Sequence, residues 1–137
     1  MKLEKDNWLE ISTSFTNPSI KARFSLRSFP MDQVESRKSF ANSVGFGFKD
    51  LIIPEQTHSN NVVFAQSPGR IPDCDGVFSN HTDYVCSIQV ADCMPVFFAH
   101  RSKLVFGIVH AGWRGLVNGI FRKSVSTLLN KKFNLID

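Results

Sequence analysis

His58, Cys93 and His110 are the residues of this sequence whose types could do chemistry together. Each stands at a junction between a short apolar run and a polar loop. Imidazole nitrogen and thiolate sulfur are the ligands that borderline-soft zinc prefers. Three protein ligands leave a fourth coordination position open, as in catalytic sites where a bound water is acidified toward neutral pH. Structural zinc sites more often show four ligands with close cysteine spacing, and the chain has no CxxC. Taken singly, the same residues have ordinary readings. A strand-end histidine is commonly just hydrogen-bonded, and a free cysteine packs as a small hydrophobe. The set also admits nucleophilic chemistry: Cys93 attacking, His110 as its base, and Asp92 or Asp75 orienting the imidazole.

Further residues could line the same site. Ala111-Gly112-Trp113-Arg114-Gly115 opens a helical pattern. Gly112 there allows close backbone approach, and Arg114 beside the first helical amides could hold a phosphate or carboxylate. Equally, the glycines serve the turn and Arg114 is a solvated surface residue. Asp73 and Asp75 flank Cys74 ahead of Gly76. Paired acids at a corner are usually Asx turn formers, and the functional alternative is a carboxylate that orients a ligating imidazole. Gln56 and Arg27 are weaker pocket candidates. His81 and His100 fall in turns and are read as exposed; Cys74 and Cys86 are read as packing residues.

The elements that must position these groups follow from the apolar patterning. Residues 85–90 (VCSIQV) predict a strand that ends at a tight corner before Pro95, which forbids a central-strand role. Residues 95–99 return as a second strand, and residues 104–110 form a buried third. Past Gly115, Leu116, Val117, Ile120, Phe121, Val125, Leu128 and Leu129 make one broad apolar helical stripe. Earlier in the chain, residues 8–15 and 20–26 alternate as strands. Residues 32–44 are an amphipathic helix that Gly45 stops. Residues 51–54 read as a short edge strand, residues 62–65 as another strand, and residues 80–83 as a hairpin-like connection into the strand at Val85.

The 137 residues fit one domain, and 42% hydrophobic with 20% charged residues exclude wholesale disorder. Thirteen Phe against one Tyr make the core aromatic but poor in hydroxyl groups. The net charge of +4 is scattered, with no basic run longer than Lys131-Lys132, which argues against nucleic acid. Three cysteines cannot all pair, and neither a leader nor a spanning apolar run is seen. These features predict a reducing, cytoplasmic setting without membrane contact.

Four segments together carry a resemblance: Gln56-Thr57-His58, Asp73-Cys74-Asp75-Gly76, Ala91-Asp92-Cys93-Met94-Pro95 and His110-Ala111-Gly112-Trp113-Arg114-Gly115. In type and order they resemble the YfiH/laccase-domain family. Phe24-Ser25-Leu26-Arg27 and Glu35-Ser36-Arg37 resemble its looser N-terminal motifs. The resemblance implies an α+β fold of mixed β-sheets layered with helices, α/β/β/α in the full family. It implies zinc at His58, Cys93 and His110, with copper also possible. It also implies phosphorolysis of purine nucleosides (adenosine, inosine, methylthioadenosine) and adenosine deamination. Cys93, His110 and Asp75 would then be catalytic, and Gln56, Arg27, Gly112 and Arg114 would bind substrate. Alternatives are a cysteine hydrolase or amidase acting on cell-wall precursor peptides, a copper-dependent polyphenol oxidase, and an inactive metal-binding domain. Family members are longer, so residues 1–137 are expected to form one domain lacking the family's C-terminal portion. The substrate would be a small molecule, with homo-oligomerisation possible through the apolar stripe.

Overall fold

Strand residues alternate between two apolar environments, and that alternation builds the molecule in layers. The structure is a computed structural model that describes residues 2–3, 8–26 and 33–133. In chain order the elements are β1 (Lys2–Leu3), β2 (Trp8–Glu10), β3 (Arg23–Ser25), α1 (Gln33–Ser43), β4 (Leu51–Pro54), β5 (Val62–Phe64), β6 (Gly69–Ile71), β7 (Gly76–Ser79), β8 (Val85–Cys86), β9 (Met94–Ala99), β10 (Phe106–Ala111), α2 (Trp113–Val117) and α3 (Ile120–Asn130). They form three sheets, ordered β1-β2-β3, β5-β7-β10-β9 and β6-β4-β8. The last is parallel throughout, and the four-stranded sheet is mixed: β5 runs parallel to β7, and β10 antiparallel to β7 and β9.

Val62, Phe64, Phe78 and Val109 face α3 and pack with its Ile120 and Leu128. The alternate residues Val63, Val77 and Ile108 face the other way and pack with Ile52 of β4. On the far side of β4, Leu51 and Ile53 pack with Ala41 of α1. The order is therefore helix, sheet, sheet, helix: an α+β fold whose β4 and β7 are buried along their whole length. Strands covered on both faces read as continuous apolar runs, as LIIP and GVFS do.

Several expectations are corrected. Residues 51–54 form the central strand of their sheet, not an edge. Pro54 is tolerated because it is the last residue of β4, and Glu55 takes over the ladder by donating to the Ile71 carbonyl. The strand expected over residues 85–90 stops at Cys86; Ser87 still donates to the Ile52 carbonyl, but the Gln89 backbone is taken by the Gln56 side chain. Residues 80–83 do not close a hairpin, since β7 and β8 belong to different sheets. The single long C-terminal helix is two helices. Gly119, at φ +83°, breaks it, and only a residue without Cβ takes that conformation freely. Ile120, Ser124 and Leu128 form the buried face of α3, while Val117 and Leu129 are 78% and 52% exposed. Residues 8–15 and 20–26 give only the short strands β2 and β3. His100 is half-buried, its Nδ1 accepting from the Ser102 and Lys103 amides. Helix α1 ends before Gly45, as its sequence indicates. Among the described residues no helix is long and apolar enough to cross a membrane.

Candidate metal centre

Three chain segments bring His58, Cys93 and His110 together. His58 sits in the loop between β4 and β5, Cys93 immediately precedes β9, and His110 is the penultimate residue of β10. Strands β9 and β10 pair with Pro95 opposite His110 and Met94 opposite Ala111, which sets Cys93 just past the end of that ladder. One ligand atom from each of the three residues lies within 4.8 Å of the others. The Cys93 Sγ is 3.9 Å from His58 Nε2, and the two imidazoles meet edge to face at 4.9 Å between centroids. His58 is exposed, Cys93 half-buried and His110 buried.

Asp75 organises the centre. It is fully buried, and its Oδ2 lies 2.7 Å from His110 Nδ1. The same carboxylate accepts from the amides of Thr57, His58 and Ser59 at 3.1, 3.1 and 2.8 Å, and from the Ser59 hydroxyl at 2.7 Å. Its backbone carbonyl accepts the His110 amide at 2.7 Å. Three consecutive amides converging on one carboxylate form an anion nest, and His58 completes it in the left-handed region at φ 60°. Burial pushes the Asp75 carboxyl up, but the bonds from His110, Ser59 and Thr57 outweigh it and hold the group below its ordinary value. An ionised Asp75 only accepts, so His110 Nδ1 carries the proton and its Nε2 keeps a free lone pair. This is the outer-sphere carboxylate–histidine arrangement that fixes tautomer and ring orientation at metal sites.

The residues fit a metal ion by three observations. The donor set of two imidazoles and a thiol is a zinc-type set. Tetrahedral ligands lie about 3.5 Å apart, close to the Cys93–His58 separation. Gly112 keeps the space clear, since a Cβ there would meet His58 Cδ2 at 2.9 Å and Cys93 Sγ at 3.3 Å. Partial desolvation, and then the Asp92 carboxylate 3.7 Å away, hold the Cys93 thiol above its ordinary value. That environment favours a cation and disfavours a bare thiolate.

The other candidates fall as follows. Gln56 is bound at both ends of its amide by the Gln89 backbone, at 2.7 and 2.8 Å, and so ties the segment ahead of Cys93 to the loop of His58. Asp73 accepts from the Thr57 hydroxyl and the Asn61 amide group, so it ties the loop of His58 to the corner before β7. Arg114 is exposed, its guanidinium 5.4 Å from the Trp113 ring. Arg27 lies outside the described residues. Cys74 is buried in the core and Cys86 packs against it; burial raises both thiols. All three cysteines are unpaired. Thr57 and Ser59 have no assigned role in the sequence expectations, although hydroxyl residues on both sides of a loop histidine are a usable signal for the bonds they make to Asp75. The centre opens on two hollows. A cavity of about 1220 Å³ includes His58, Cys93 and His110 in its wall, and a shallower one of about 550 Å³ is lined by His58, Cys93, Gly112 and Arg114 among others.

A family model described as multi-copper polyphenol oxidoreductase laccase matches residues 26–135. The chain is 36% identical over 87 residues to the purine nucleoside phosphorylase of Rickettsia prowazekii, a match covering 63% of this chain and 36% of that one. It is 34% identical over 83 residues to purine nucleoside phosphorylase YfiH of Escherichia coli, covering 60% and 34%. The crystal structure of Bacillus licheniformis protein YfiH shares the fold with a TM-score of 0.75 at 20% identity, over 96% of this chain and 59% of that one. The chain thus spans only about a third of the length of these two curated relatives.

Proposed function

Since the chain belongs to the multi-copper polyphenol oxidoreductase laccase family, the YfiH/laccase-domain proteins, we propose that it is a zinc-dependent enzyme acting on purine nucleosides. Its reactions would be phosphorolysis and, without phosphate, deamination of adenosine. The observation that carries this reading is the convergence of His58, Cys93 and His110 in a cavity wall, backed by Asp75. The relatives named purine nucleoside phosphorylase support the substrate class.

Zinc bound there would supply a Lewis acid and a water acidified toward neutral pH. The chain's own residues do the rest. Asp75 keeps the proton on His110 Nδ1 and turns Nε2 toward the centre. Gln56 and Gln89 hold the two donor-bearing loops at fixed separation. Phe97 and Ile108 give the cavity an apolar wall suited to a purine ring. Zinc is preferred to copper because a single three-donor group occurs among the described residues, and a multi-copper cluster needs more.

A second reading, a cysteine hydrolase, draws on the Asp75–His110 hydrogen bond. The nearby Asp92 carboxylate opposes the thiolate it requires. One experiment separates the two. Purified chain should carry close to one zinc per molecule, lost in Cys93→Ser. Adenosine with phosphate should give adenine and ribose 1-phosphate; adenosine with water alone should give inosine and ammonia. Full turnover by metal-free protein would refute the zinc reading. Activity that survives chelation but not alkylation of Cys93 would establish the hydrolase.

A further inference from the structure

The large cavity is also lined by a cation that has no countercharge among the described residues. Arg37, on α1, lines it and is half-buried, and its guanidinium donates to the Ser87 hydroxyl at 2.8 Å. No carboxylate pairs with Arg37 among the described residues. Its charged neighbour is another cation, Arg70, which also lines the cavity and spends its own charge on Glu55 at 3.7 Å. Burial, and then Arg70, push the Arg37 group down to about 10. Among the described residues Lys21, Arg23, Arg37 and Arg70 line this cavity with the carboxylates Glu55 and Asp92, and Arg23 is met by Glu10 at 3.1 Å as Arg70 is by Glu55. A half-buried guanidinium beside a like charge is costly unless an anion joins it. The planar fork of Arg suits a phosphate group in particular.

We infer that Arg37, with Arg70 and the Ser87 hydroxyl, forms a phosphate-binding subsite in the same cavity as the candidate metal centre. The inference rests on the nucleoside reading above for the identity of the ligand and on Arg37's surroundings for the site itself. Geometry links the two ends. Five residues separate Ser87 from Cys93, so their Cα atoms are no more than about 20 Å apart along extended chain. The Gln56–Gln89 bridge draws this segment toward the loop of His58. Both ends line one cavity, and a ligand with a purine at the metal end and a phosphate at the arginine end is the occupant this shared wall implies. The phosphate could be the free ion or the 5′-phosphate of a nucleotide, and the two sources are separable.

The test is calorimetric titration of the zinc-loaded chain with inorganic phosphate, AMP and adenosine, for wild type, Arg37→Met and Arg37→Lys. AMP at least tenfold tighter than adenosine, with the difference reduced to about twofold in Arg37→Met and partly restored in Arg37→Lys, marks a nucleotide phosphate. Equal affinity for AMP and adenosine, with inorganic phosphate binding lost in Arg37→Met, marks the free ion. Adenosine affinity, zinc content and melting temperature should stay at wild-type values in Arg37→Met. Wild type that binds neither phosphate nor AMP, or an Arg37→Met that binds both unchanged, overturns the subsite. Arg37-dependent phosphate binding without any nucleoside binding or turnover would leave the subsite standing and sink the nucleoside reading. Nucleoside turnover with Arg37→Met indistinguishable from wild type would do the reverse.

Discussion

At the scale of single residues the centre depends on Asp75 as much as on the three donors. Asp75→Asn keeps the shape but loses the charge that fixes the His110 tautomer. Zinc affinity should fall about 10–100-fold, read by competition with a chromophoric chelator. The same carboxylate sets an acid limit. Its folded-state pKa lies below its unfolded value, so its stabilising contribution is complete above the unfolded value and disappears as pH falls through the folded one. Glu10 acts in the same direction. Burial pushes it up, but its bonds from Ser12 and the charge and bond of Arg23 leave it lowered. Metal-free chain should therefore keep its melting temperature from neutral pH down to the ordinary carboxylate range and lose it below. Asp75→Asn should flatten that acid decline. The donor residues were legible in the sequence because their types are unusual at loop junctions. The role of Asp75 was less legible, because an acid beside a glycine corner is usually a turn former. Only the fold reveals that its side chain gathers three amides and an imidazole.

At the scale of elements, strand positions were easier to read than strand neighbours. Nothing in residues 51–54 says that partners flank both sides, hence the edge-strand expectation; the central place depends on residues 69–71 and 85–86 running parallel to them, and the strand at residues 76–79 has no counterpart in the sequence expectations. The C-terminal stripe reads as one helix in sequence because a 3.6-residue period runs through Asn118-Gly119 with little change of phase. The break matters energetically. Ile120→Ala should cost about 2–4 kcal/mol, since Ile120 is fully buried between α3 and the four-stranded sheet. Gly119→Ala should cost about 1 kcal/mol through its positive φ. Val117→Ser and Leu129→Ser should stay within about 0.5 kcal/mol, because both side chains are mostly exposed. Chemical denaturation of the four variants gives this ranking directly.

At the scale of the molecule, the donors come from three stretches of chain far apart in sequence, so an ion bound there ties the loop after β4 to the β9–β10 pair. Zinc at a hundredfold excess over its Kd should add about 2.7 kcal/mol of stability. That corresponds to a rise in melting temperature on the order of 10 °C, absent in Cys93→Ser and measurable by calorimetry. The apolar runs mark several of the strands, the layered arrangement follows from the family resemblance, and the order of strands is legible in neither, because it is set by pairings remote in sequence. Strand β9 has one further consequence. Among the described residues it has only β10 beside it in its sheet, and it reads Met-Pro-Val-Phe-Phe-Ala without a charge. An uncharged, aromatic outer row of this kind is a template for fibril growth, and Pro95 at its head withholds the N–H that a docking strand would use. Pro95→Val should shorten the lag before dye-binding aggregates appear in warm, concentrated samples, which would make this proline a guard on the chain's shelf life.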